Sequence, residues 1–459
     1  MTLSLDFDDW ESNLISLIDR GLKYGKSIGS DSLELYITKS HSLNVNLKNG
    51  MIDATQGGNI GIGCRCLTGK KIGFASASGI TDSAMNFAIE SALKVSKALS
   101  KEDERWSNFV QTPEAGKNGM IDGTVLEIKS EEIVNGANLI FKEVKNHDSR
   151  VLSVEGMISV GYGAFAVGNT EGIAKSSRTT FGNIQISVVA SENSKTKTGE
   201  IFIRGRGVPR FEGIGINGAN KALKLLNSKP LEKTARMNVI FNNLAAAALI
   251  NAGLSNSVNG QSVVEGRSVF AEKIGEKVGV PSLTIYDDGQ MLGDPNMVAI
   301  DDEGYPRKTT KIIVQGILKN FIFDQYYSNI LSTVNTGNAK RQGSQSYESL
   351  PKISLNTISI IPGNRNIDEL ASEVGNGIFI EDNLLGMHTA DKVSGDFSFV
   401  APNCYKVENG EITTPLEPIS VAGNLYKAFN QIIRIGNERE LTPYGKIPSV
   451  AFKEFTISG

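Results

Sequence analysis

Strand-like segments separated by glycine- and aspartate-rich turns recur along this chain, and they restrict its fold more than any other feature. Forty-eight glycines stand against 13 prolines in 459 residues, a balance that indicates strand turns rather than disorder. The hydrophobic fraction of 40% is enough to form a core. A chain of this length exceeds one typical core, so we expect two domains, or at most three.

The first half of the chain, residues 1–230, mixes helical and strand-like periodicity. Helices are predicted at residues 9–24, 81–99, 129–145 and 213–226, the second capped by Thr81 or Asp82. Strands are predicted at 33–38, 43–47, 59–67 and 71–78, with a hairpin turn at Lys48-Asn49-Gly50. This order predicts an N-terminal α/β domain of antiparallel strands and helices.

A strand-rich block follows at residues 151–203. Its glycines are predicted to lie near its turns, namely Gly161, Gly163, Gly168, Gly172 and Gly182. The Arg-Gly-Arg-Gly segment at 204–207 ends the block. We interpret this segment as a turn with solvated arginines, in preference to an anion site.

The second half, residues 231–459, begins with a strand at 237–241 that leads into a helix from about Leu244. Strands and turns then dominate from residue 282 onward, with short helices at 367–375 and 424–433. The carboxylate pairs Asp287/Asp288 and Asp301/Asp302 are interpreted as turn residues rather than acid–base groups. The whole pattern predicts an α+β protein with a C-terminal, mostly antiparallel β domain.

Charge and hydropathy exclude several classes of function. A net charge of −3 and a pI near 5.9 give no electrostatic footprint for nucleic acid. Residues 1–12 carry four acidic side chains and lack the pattern of a signal peptide. The longest apolar runs, such as 244–250, are too short to span a bilayer. We therefore expect a cytoplasmic protein without a membrane partner.

Histidine and cysteine are too scarce and too scattered for an ordinary zinc-hydrolase centre. The chain contains three of each, namely His41, His147, His388, Cys64, Cys66 and Cys404. No two histidines have a metal-binding spacing, and no second cysteine pair completes Cys64 and Cys66 into a site. These two cysteines are interpreted as ordinary strand residues that share one face. The odd cysteine count argues against a secreted disulfide scaffold.

Several short motifs in the second half carry a family resemblance. They are Pro-Ser-Leu-Thr-Ile-Tyr-Asp-Asp-Gly at 281–289, Ile-Asp-Asp-Glu-Gly-Tyr-Pro at 300–306, Gly-Ile-Leu at 316–318, Thr-Gly-Asn-Ala-Lys-Arg at 336–341, Ile-Pro-Gly at 361–363, His-Thr-Ala-Asp-Lys-Val-Ser-Gly-Asp-Phe-Ser at 388–398 and Val-Glu-Asn-Gly-Glu-Ile at 407–412. Each motif alone is weak, but in this order they resemble the TldD/PmbA family. The resemblance is strong from about residue 237 to the end.

The resemblance also places a metal-site region. The TldD branch of the family carries His-Glu-x-x-x-His and a distant cysteine, whereas the PmbA branch, also called TldE, lacks these ligands. The corresponding positions here are Asn251, Ala252 and Asn256, with Tyr444 before Gly-Lys at the cysteine position. Residues five apart lie about 140° around a helix, so the motif needs a distorted or ended helix, which Gly253 would permit. A bland alternative is that both asparagines cap a helix end.

The resemblance to the PmbA branch implies a non-catalytic subunit of a zinc metallopeptidase complex that processes unfolded or modified peptides. Neutral amides are poor zinc donors and Ala252 offers no general base, so no cofactor is expected in this chain. Zinc is expected in a TldD-like partner, with which this chain would form a dimer. His388, Ser394 and Asp396 are candidates for the substrate channel or subunit contact, with a purely structural role as the alternative for His388.

Two other functions remain open at this stage. One is a non-enzymatic regulatory or binding protein, resembling a modulator of DNA gyrase and acting as a homodimer. The other is a metallopeptidase with an unrecognised site. A hydrolytic triad of His388, Asp391 and Ser394 is disfavoured, because triads usually assemble from separate loops.

Overall fold

The computed structural model describes residues 7–48, 50–112 and 114–459. Its first part is built on a seven-stranded antiparallel sheet with the order β4-β3-β1-β5-β6-β7, and β2 also pairs with β1. The strands are β1 Ser32–Lys48, β2 Met51–Gly57, β3 Ile60–Thr68, β4 Lys71–Ser78, β5 Val151–Asn169, β6 Ala174–Glu192 and β7 Lys195–Gly205. Every pairing within it is antiparallel, as predicted.

Helices cover this sheet, and each buries one apolar stripe. They are α1 Trp10–Ser27, α2 Asp82–Ala98, α3 Gly123–Glu127, α4 Ser130–His147 and α5 Ile214–Leu225. The predicted cap of α2 is confirmed, because the Thr81 side chain accepts a hydrogen bond from the Ala84 N–H at 3.2 Å. The predicted hairpin turn includes Asn49, which lies outside the described residues, while its flanking strands pair Lys48 with Met51.

Gly172 lies in the turn between β5 and β6 and Gly168 lies just before it, as predicted, but Gly161, Gly163 and Gly182 lie away from turns, and for these three the prediction is wrong. Gly161, Gly163 and Gly168 lie within β5, and Gly182 lies within β6. They serve close packing instead. A Cβ on Gly182 would lie 2.0 Å from the Gly207 carbonyl oxygen, and one on Gly168 would lie 2.3 Å from Ile18. Glycine within a strand permits this approach of neighbouring chain segments.

Gly182 provides a test of this packing against a matched control in the opposite strand. Gly182→Ala is expected to lower the free energy of unfolding by about 1–3 kcal/mol, because the Gly207 backbone must move. Gly205 pairs directly with Gly182, and nothing lies within 4 Å of a Cβ built there. Gly205→Ala is therefore expected to change stability by no more than about 0.5 kcal/mol. Urea denaturation of both variants measures the difference, and equal losses would contradict it.

The second part is organised around a 12-stranded sheet whose main path is β11-β10-β9-β14-β21-β8-β15-β17-β18. Strands β12 and β13 form a separate two-stranded sheet. The strands that follow β7 are β8 Ala235–Phe241, β9 Ile285–Asp288, β10 Thr309–Val314, β11 Ile317–Leu318, β12 Ala339–Lys340, β13 Lys352–Ile353, β14 Ile358–Ile360, β15 Gly377–Ile380, β16 Asp396–Ala401, β17 Cys404–Glu408, β18 Glu411–Leu416, β19 Ile419–Asn424, β20 Ile432–Leu441 and β21 Gly445–Ser458. The pairs β14/β21 and β8/β15 are parallel, and the other ladders of this sheet are antiparallel.

The helices of the second part are short apart from α6, which leaves β8 directly. They are α6 Asn243–Ser257, α7 Gly260–Val264, α8 Gln325–Ile330, α9 Ile367–Val374 and α10 Leu425–Ala428. The helix predicted at 424–433 is thus shorter than expected, because β20 begins at Ile432. The α+β fold class is confirmed. Among the described residues, the structure contains no helix with the length and apolar character needed to cross a membrane.

Asp301 and Asp302 lie at a turn, as predicted, whereas Asp287 and Asp288 are the last two residues of strand β9, so their assignment to a turn is wrong. Asp301 is fully buried, and its carboxylate accepts hydrogen bonds from the N–H groups of Glu303, Tyr305 and Ala339. The buried carboxylate of Asp287 likewise accepts hydrogen bonds from Asn338 and Asn356. These bonds fix the backbone around each aspartate and leave both carboxylates inaccessible to a substrate.

The arginines at 204–207 are not solvated, and that interpretation is wrong. Arg206 is 7% exposed, and its guanidinium donates to the carbonyl oxygens of Met120, Asp294 and Met297. Arg204 donates to the Asp294 carboxylate at 3.1 Å. Both side chains therefore join the first sheet to the second part of the molecule.

A buried charge cluster of Glu34, Arg65, Glu303 and Arg341 forms a second link between the two parts. Glu34 and Arg65 lie opposite each other on β1 and β3 and form two hydrogen bonds, of 2.9 and 2.6 Å. Arg65 also contacts Glu303 at 2.9 Å, and Arg341 donates to Glu34 at 3.2 Å. All four side chains are at least nine-tenths buried. Each charge in this cluster is therefore balanced by a partner rather than by water.

Asp324, beside this cluster, makes stability depend on pH. Burial, followed by the nearby charge of Glu303, raises the pKa of Asp324 from 3.8 to about 7. The folded state thus holds this proton more tightly than the unfolded state. Its stabilising contribution is complete below pH 3.8 and is lost as the pH rises through about 7. Asp324→Asn retains the acceptor that caps α8, and it is expected to gain stability over the wild type across this window, by up to about 4 kcal/mol. Parallel stability–pH curves for the two proteins would contradict this.

Candidate functional site

Helix α6 is the element that carries the predicted metal-site positions. The Asn242 side chain caps it by accepting a hydrogen bond from the Ala245 N–H at 2.9 Å. Its residues from Ala245 to Ile250 are all buried, since small side chains let the helix pack closely against the strands around it. The helix passes through Gly253 and ends at Ser257. The helix therefore does not end at Gly253, although the five-residue spacing of a His-Glu-x-x-x-His motif was expected to need a helix end there.

Asn256 is a structural bridge in the last turn of this helix. Its amide nitrogen donates to the carbonyl oxygens of Arg267 at 3.0 Å and Lys392 at 2.9 Å. Its amide oxygen accepts from the Ser262 hydroxyl at 2.8 Å. The side chain thus ties α6 to two loops, instead of capping the helix, and the three hydrogen bonds fix its orientation.

Asn251 and Ala252 lie inside α6 rather than at its end, so capping does not describe Asn251. Both side chains are half-buried, and Ala252 packs against the core of the second part. No described residue forms a hydrogen bond with the Asn251 side chain. No hydrogen bond among the described residues connects Asn251 with Tyr444. The two asparagines on this helix therefore differ sharply in their surroundings.

The loop at residues 386–396 packs against the C-terminal part of α6 through the Asn256–Lys392 contact. Asp391 holds this loop by accepting hydrogen bonds from the N–H groups of Val393 and Ser394, and these bonds lower its pKa. Tyr426 donates to the Lys392 carbonyl, and Asn424 donates to the Ser394 carbonyl at 2.8 Å. The loop is therefore a fastened turn next to the helix.

His388, Asp391 and Ser394 do not form a hydrolytic triad. His388 lies exposed in a short 3-10 helix, Met387–Thr389. The Ser394 hydroxyl accepts from the Asp396 N–H at 3.2 Å, and the Asp396 carboxylate accepts from Asn424 at 2.7 Å. Since Asp391 is bonded to backbone groups, nothing among the described residues orients His388 towards Ser394. The role of His388, Ser394 and Asp396 in a substrate channel or a subunit contact stays a prediction.

Tyr444 lies at a cavity of about 650 Å³ between the two parts of the molecule. The first sheet contributes residues of β7, and the second part contributes Leu244 at the start of α6 and the end of β20. Leu385, just before the His388 loop, also lines it. The structure thus brings Tyr444 to the N-terminal end of α6, and Asn256 to the other end beside the His388 loop.

A lysine and several carboxylates set the electrostatics of this cavity. Lys221 on α5 forms an ion pair with Asp382 at 2.8 Å and donates to the Glu200 carbonyl at 3.2 Å. Burial acts to lower the pKa of Lys221, but Asp382 and Glu381 outweigh it and raise the value. Burial also raises the pKa of Glu200, whose carboxylate accepts from Ser187 at 2.6 Å. Sequence reasoning missed these residues, because they come from separate elements with no spacing relation.

The residues at the predicted metal positions do not fit a zinc ion. Asn256 is a neutral amide held by three hydrogen bonds, Ala252 has no donor atom, and Tyr444 lies at the cavity by the opposite end of α6. Across residues 7–48, 50–112 and 114–459, no group of three or more His, Cys, Asp or Glu side chains is arranged to hold a metal ion. Cys64 and Cys66 lie buried in the first core with their sulfurs 3.6 Å apart, so they share one face of β3.

Comparisons with known proteins assign most of the chain to one family. Residues 234–459 match the profile of the PmbA/TldA metallopeptidase C-terminal domain. Residues 33–96 match that of PmbA/TldA metallopeptidase domain 1, and residues 124–226 match that of the central domain. Two of these segments lie in the part built on the first sheet, and the third begins at β8.

Individual relatives span nearly the whole chain. A protein named metalloprotease from Methanocaldococcus jannaschii is 25% identical, over 90% of this chain and 91% of its own length. Metalloprotease PmbA of Escherichia coli O157:H7 is 23% identical, over 94% of this chain and 93% of its own. The crystal structure of TldE from Thermococcus kodakarensis has a TM-score of 0.89 at 22% identity, covering 96% of this chain and all of that one. The structural likeness establishes the fold.

Proposed function

This chain belongs to the PmbA/TldD family, and we propose that it is a non-catalytic subunit of a metallopeptidase complex. In this proposal a TldD-like partner binds the zinc ion and cleaves the peptide bond. This chain completes the chamber that admits unfolded or modified peptides in an extended conformation.

The hydrogen bonds of Asn256 carry the proposal. The Asn256 side chain is held by three hydrogen bonds, in which its nitrogen donates to two carbonyl oxygens and its oxygen accepts from Ser262, and a neutral amide held in this way is a poor replacement for an imidazole as a zinc ligand. Ala252, where the family motif has its glutamate, has no group that could take a proton from water. Both features support the proposal that helix α6 is retained for packing, while zinc binding and peptide-bond cleavage belong to another chain.

Isolation from the native host tests the partnership. Affinity purification of this chain is expected to recover a TldD-like chain with an intact His-Glu-x-x-x-His motif, in near-equal amount. The two should co-elute in size-exclusion chromatography as one complex. Recovery of the chain only as a homodimer, or with an unrelated protein, would contradict the proposal and favour the regulatory or binding function.

A further inference from the structure

Strand β2 has a free edge. In the part of the chain that the structure describes, it pairs with β1 alone, and no strand lies along its other side. Residues 53–57 are all exposed. The unpaired side of an edge strand presents a row of N–H and C=O groups that can pair with another chain. This side of the strand, called here the β2 edge, is therefore open to a further strand.

The ladder geometry shows which residues face the β2 edge. The Ser40 N–H donates to the Asn59 carbonyl at 2.9 Å, so the even-numbered residues of this stretch of β1 form their bonds on the side of β2. Their register partners on β2 are odd-numbered. Ile52, Ala54 and Gln56 therefore turn their N–H and C=O groups to the free edge. None of these backbone groups has a hydrogen-bond partner among the described residues outside the ladder with β1.

The space beside the β2 edge continues the path of strand β4. The last pair between β4 and β3 joins Ser78 to Gly61, and the Gly79 N–H then donates to the Ile60 carbonyl at 2.9 Å. With a φ of 88°, Gly79 turns the chain away from the sheet towards α2. Strands β2 and β3 lie end to end along β1, so a strand that follows this path beyond Gly79 is antiparallel to β2.

The β2 edge lacks the protection that strand edges usually have. Its sequence, Met-Ile-Asp-Ala-Thr-Gln-Gly, contains one charged residue and no proline. Strand β7 of the same sheet carries four charged side chains, and its Thr198 and Glu200 carbonyls accept hydrogen bonds from Asn403 and Lys221. Charged side chains and occupied backbone groups prevent pairing at an edge. The β2 edge has neither along its outward-facing groups.

A neutral cavity of about 650 Å³ lies where this path begins, between Gly57 at the end of β2 and Ser78 at the end of β4. Four serines and three amide side chains are among its lining residues, and none of the lining side chains is charged. The amide oxygen of one of them, Asn59, is buried without a hydrogen-bond partner in the described part of the chain. A charged group that entered would lose water without meeting an opposite charge, so the cavity favours uncharged hydrogen-bonding groups.

We propose that the β2 edge binds an extended peptide segment without charged side chains, as an added antiparallel strand whose N-terminal end lies in this cavity. Ile52, Ala54 and Gln56 supply three N–H and three C=O groups to the backbone of the peptide, and such bonds demand little of its sequence. This inference rests on the proposed function and adds to it a binding site on this chain and a preference among peptides.

Labelled peptides and the unaltered full chain test the backbone pairing. One peptide is an acetylated and amidated Thr/Gln/Val/Ser sequence, and its counterpart carries an N-methyl group on every backbone amide. Fluorescence anisotropy is expected to show at least about tenfold weaker binding of the methylated peptide, because it lacks the donors of a strand ladder. Equal affinities of the two, or no detectable binding of the unmethylated peptide, would overturn the proposal.

Two further peptides test the preference for uncharged segments. They carry lysine or glutamate at alternate positions of the same sequence, and each is expected to bind at least about fivefold more weakly at a salt concentration of about 0.15 M. Binding of either charged peptide as tight as that of the neutral one would overturn the preference.

Variants at Ala54 locate the site. Ala54→Pro removes an N–H that faces the free edge, where proline does not interrupt the ladder with β1, and it is expected to weaken binding of the neutral peptide at least about fivefold. Ala54→Thr is the matched control, since it keeps the N–H at the same exposed position, and it should alter binding less than about twofold. Equal binding by both variants would place the peptide elsewhere and overturn the site.

Two outcomes separate this proposal from the proposed function. If Ala54→Pro abolishes co-elution with the TldD-like chain while peptide binding persists, the β2 edge is a subunit contact and the peptide proposal falls. If the neutral peptide does not bind while the purified complex still assembles and cleaves peptide, the peptide proposal falls and the proposed function stands.

Discussion

Arg65→Met is expected to lower the free energy of unfolding by about 3–5 kcal/mol. Arg65 lies between two carboxylates, with Glu34 at 2.6 Å and Glu303 at 2.9 Å. Methionine fills a similar volume but carries no charge, so both carboxylates lose their main partner inside the protein. Arg341 continues to contact Glu34, at 3.2 Å, whereas no other cation contacts Glu303 among the described residues. The cost therefore comes from uncompensated buried charge.

Chemical denaturation of the variant measures this loss directly. Arg20→Met is the matched control, because Arg20 forms an ion pair with Asp82 at 2.8 Å on the surface. Both partners there are more than half exposed, so the control should lose no more than about 1 kcal/mol. A loss below about 1 kcal/mol for Arg65→Met would show that the buried cluster does not hold the two parts together.

Asn256→Ala is expected to cost about 2–4 kcal/mol, because it leaves the carbonyls of Arg267 and Lys392 and the Ser262 hydroxyl without this partner. Asn251→Ala is the control on the same helix. It removes an amide that has no hydrogen bond among the described residues, so its cost should stay below about 1 kcal/mol.

The same pair of variants separates a structural role from a lost metal site. Hydrogen exchange should increase around residues 386–396 in Asn256→Ala, since this loop loses its link to α6, and should be unchanged in Asn251→Ala. If the two asparagines behaved alike in stability and exchange, Asn256 would not be the bridge described here.

Local patterns predicted the elements well where the forces are local. Helix α2 followed from its periodicity and from the Thr81 cap, which acts within one turn. The turn position of Asp301 and Asp302 follows from the Asp-Glu-Gly sequence, whereas the same reasoning wrongly places Asp287 in a turn. Gly161 and Gly182 are also assigned wrongly to turns, because what requires glycine there is close contact with the backbone of distant residues, His41 and Gly207. The spacing of residues along the sequence does not predict such contacts.

The site was only partly predictable for the same reason. The resemblance placed Asn251, Ala252 and Asn256 on one helix, and α6 contains all three. It did not reveal that Asn256 binds two loops, since Arg267 and Lys392 lie 11 and 136 residues away with no spacing relation to it. The lining of the cavity at Tyr444 could not be predicted from the sequence, because Glu200 and Glu440 belong to different sheets. Arg206 was interpreted as solvated because burial by residues 120 and 294–297 is a tertiary effect.

The most direct test of the non-catalytic role of this chain is peptidase activity with added zinc. It is measured on this chain alone, on its TldD-like partner alone and on the two mixed. The substrate is an unfolded peptide, and the zinc content of each sample is determined in parallel. We expect no zinc-dependent cleavage and no stoichiometric zinc for this chain alone, and higher activity for the mixed pair than for the partner alone. Zinc-dependent cleavage by this chain alone, abolished by chelation, would contradict it.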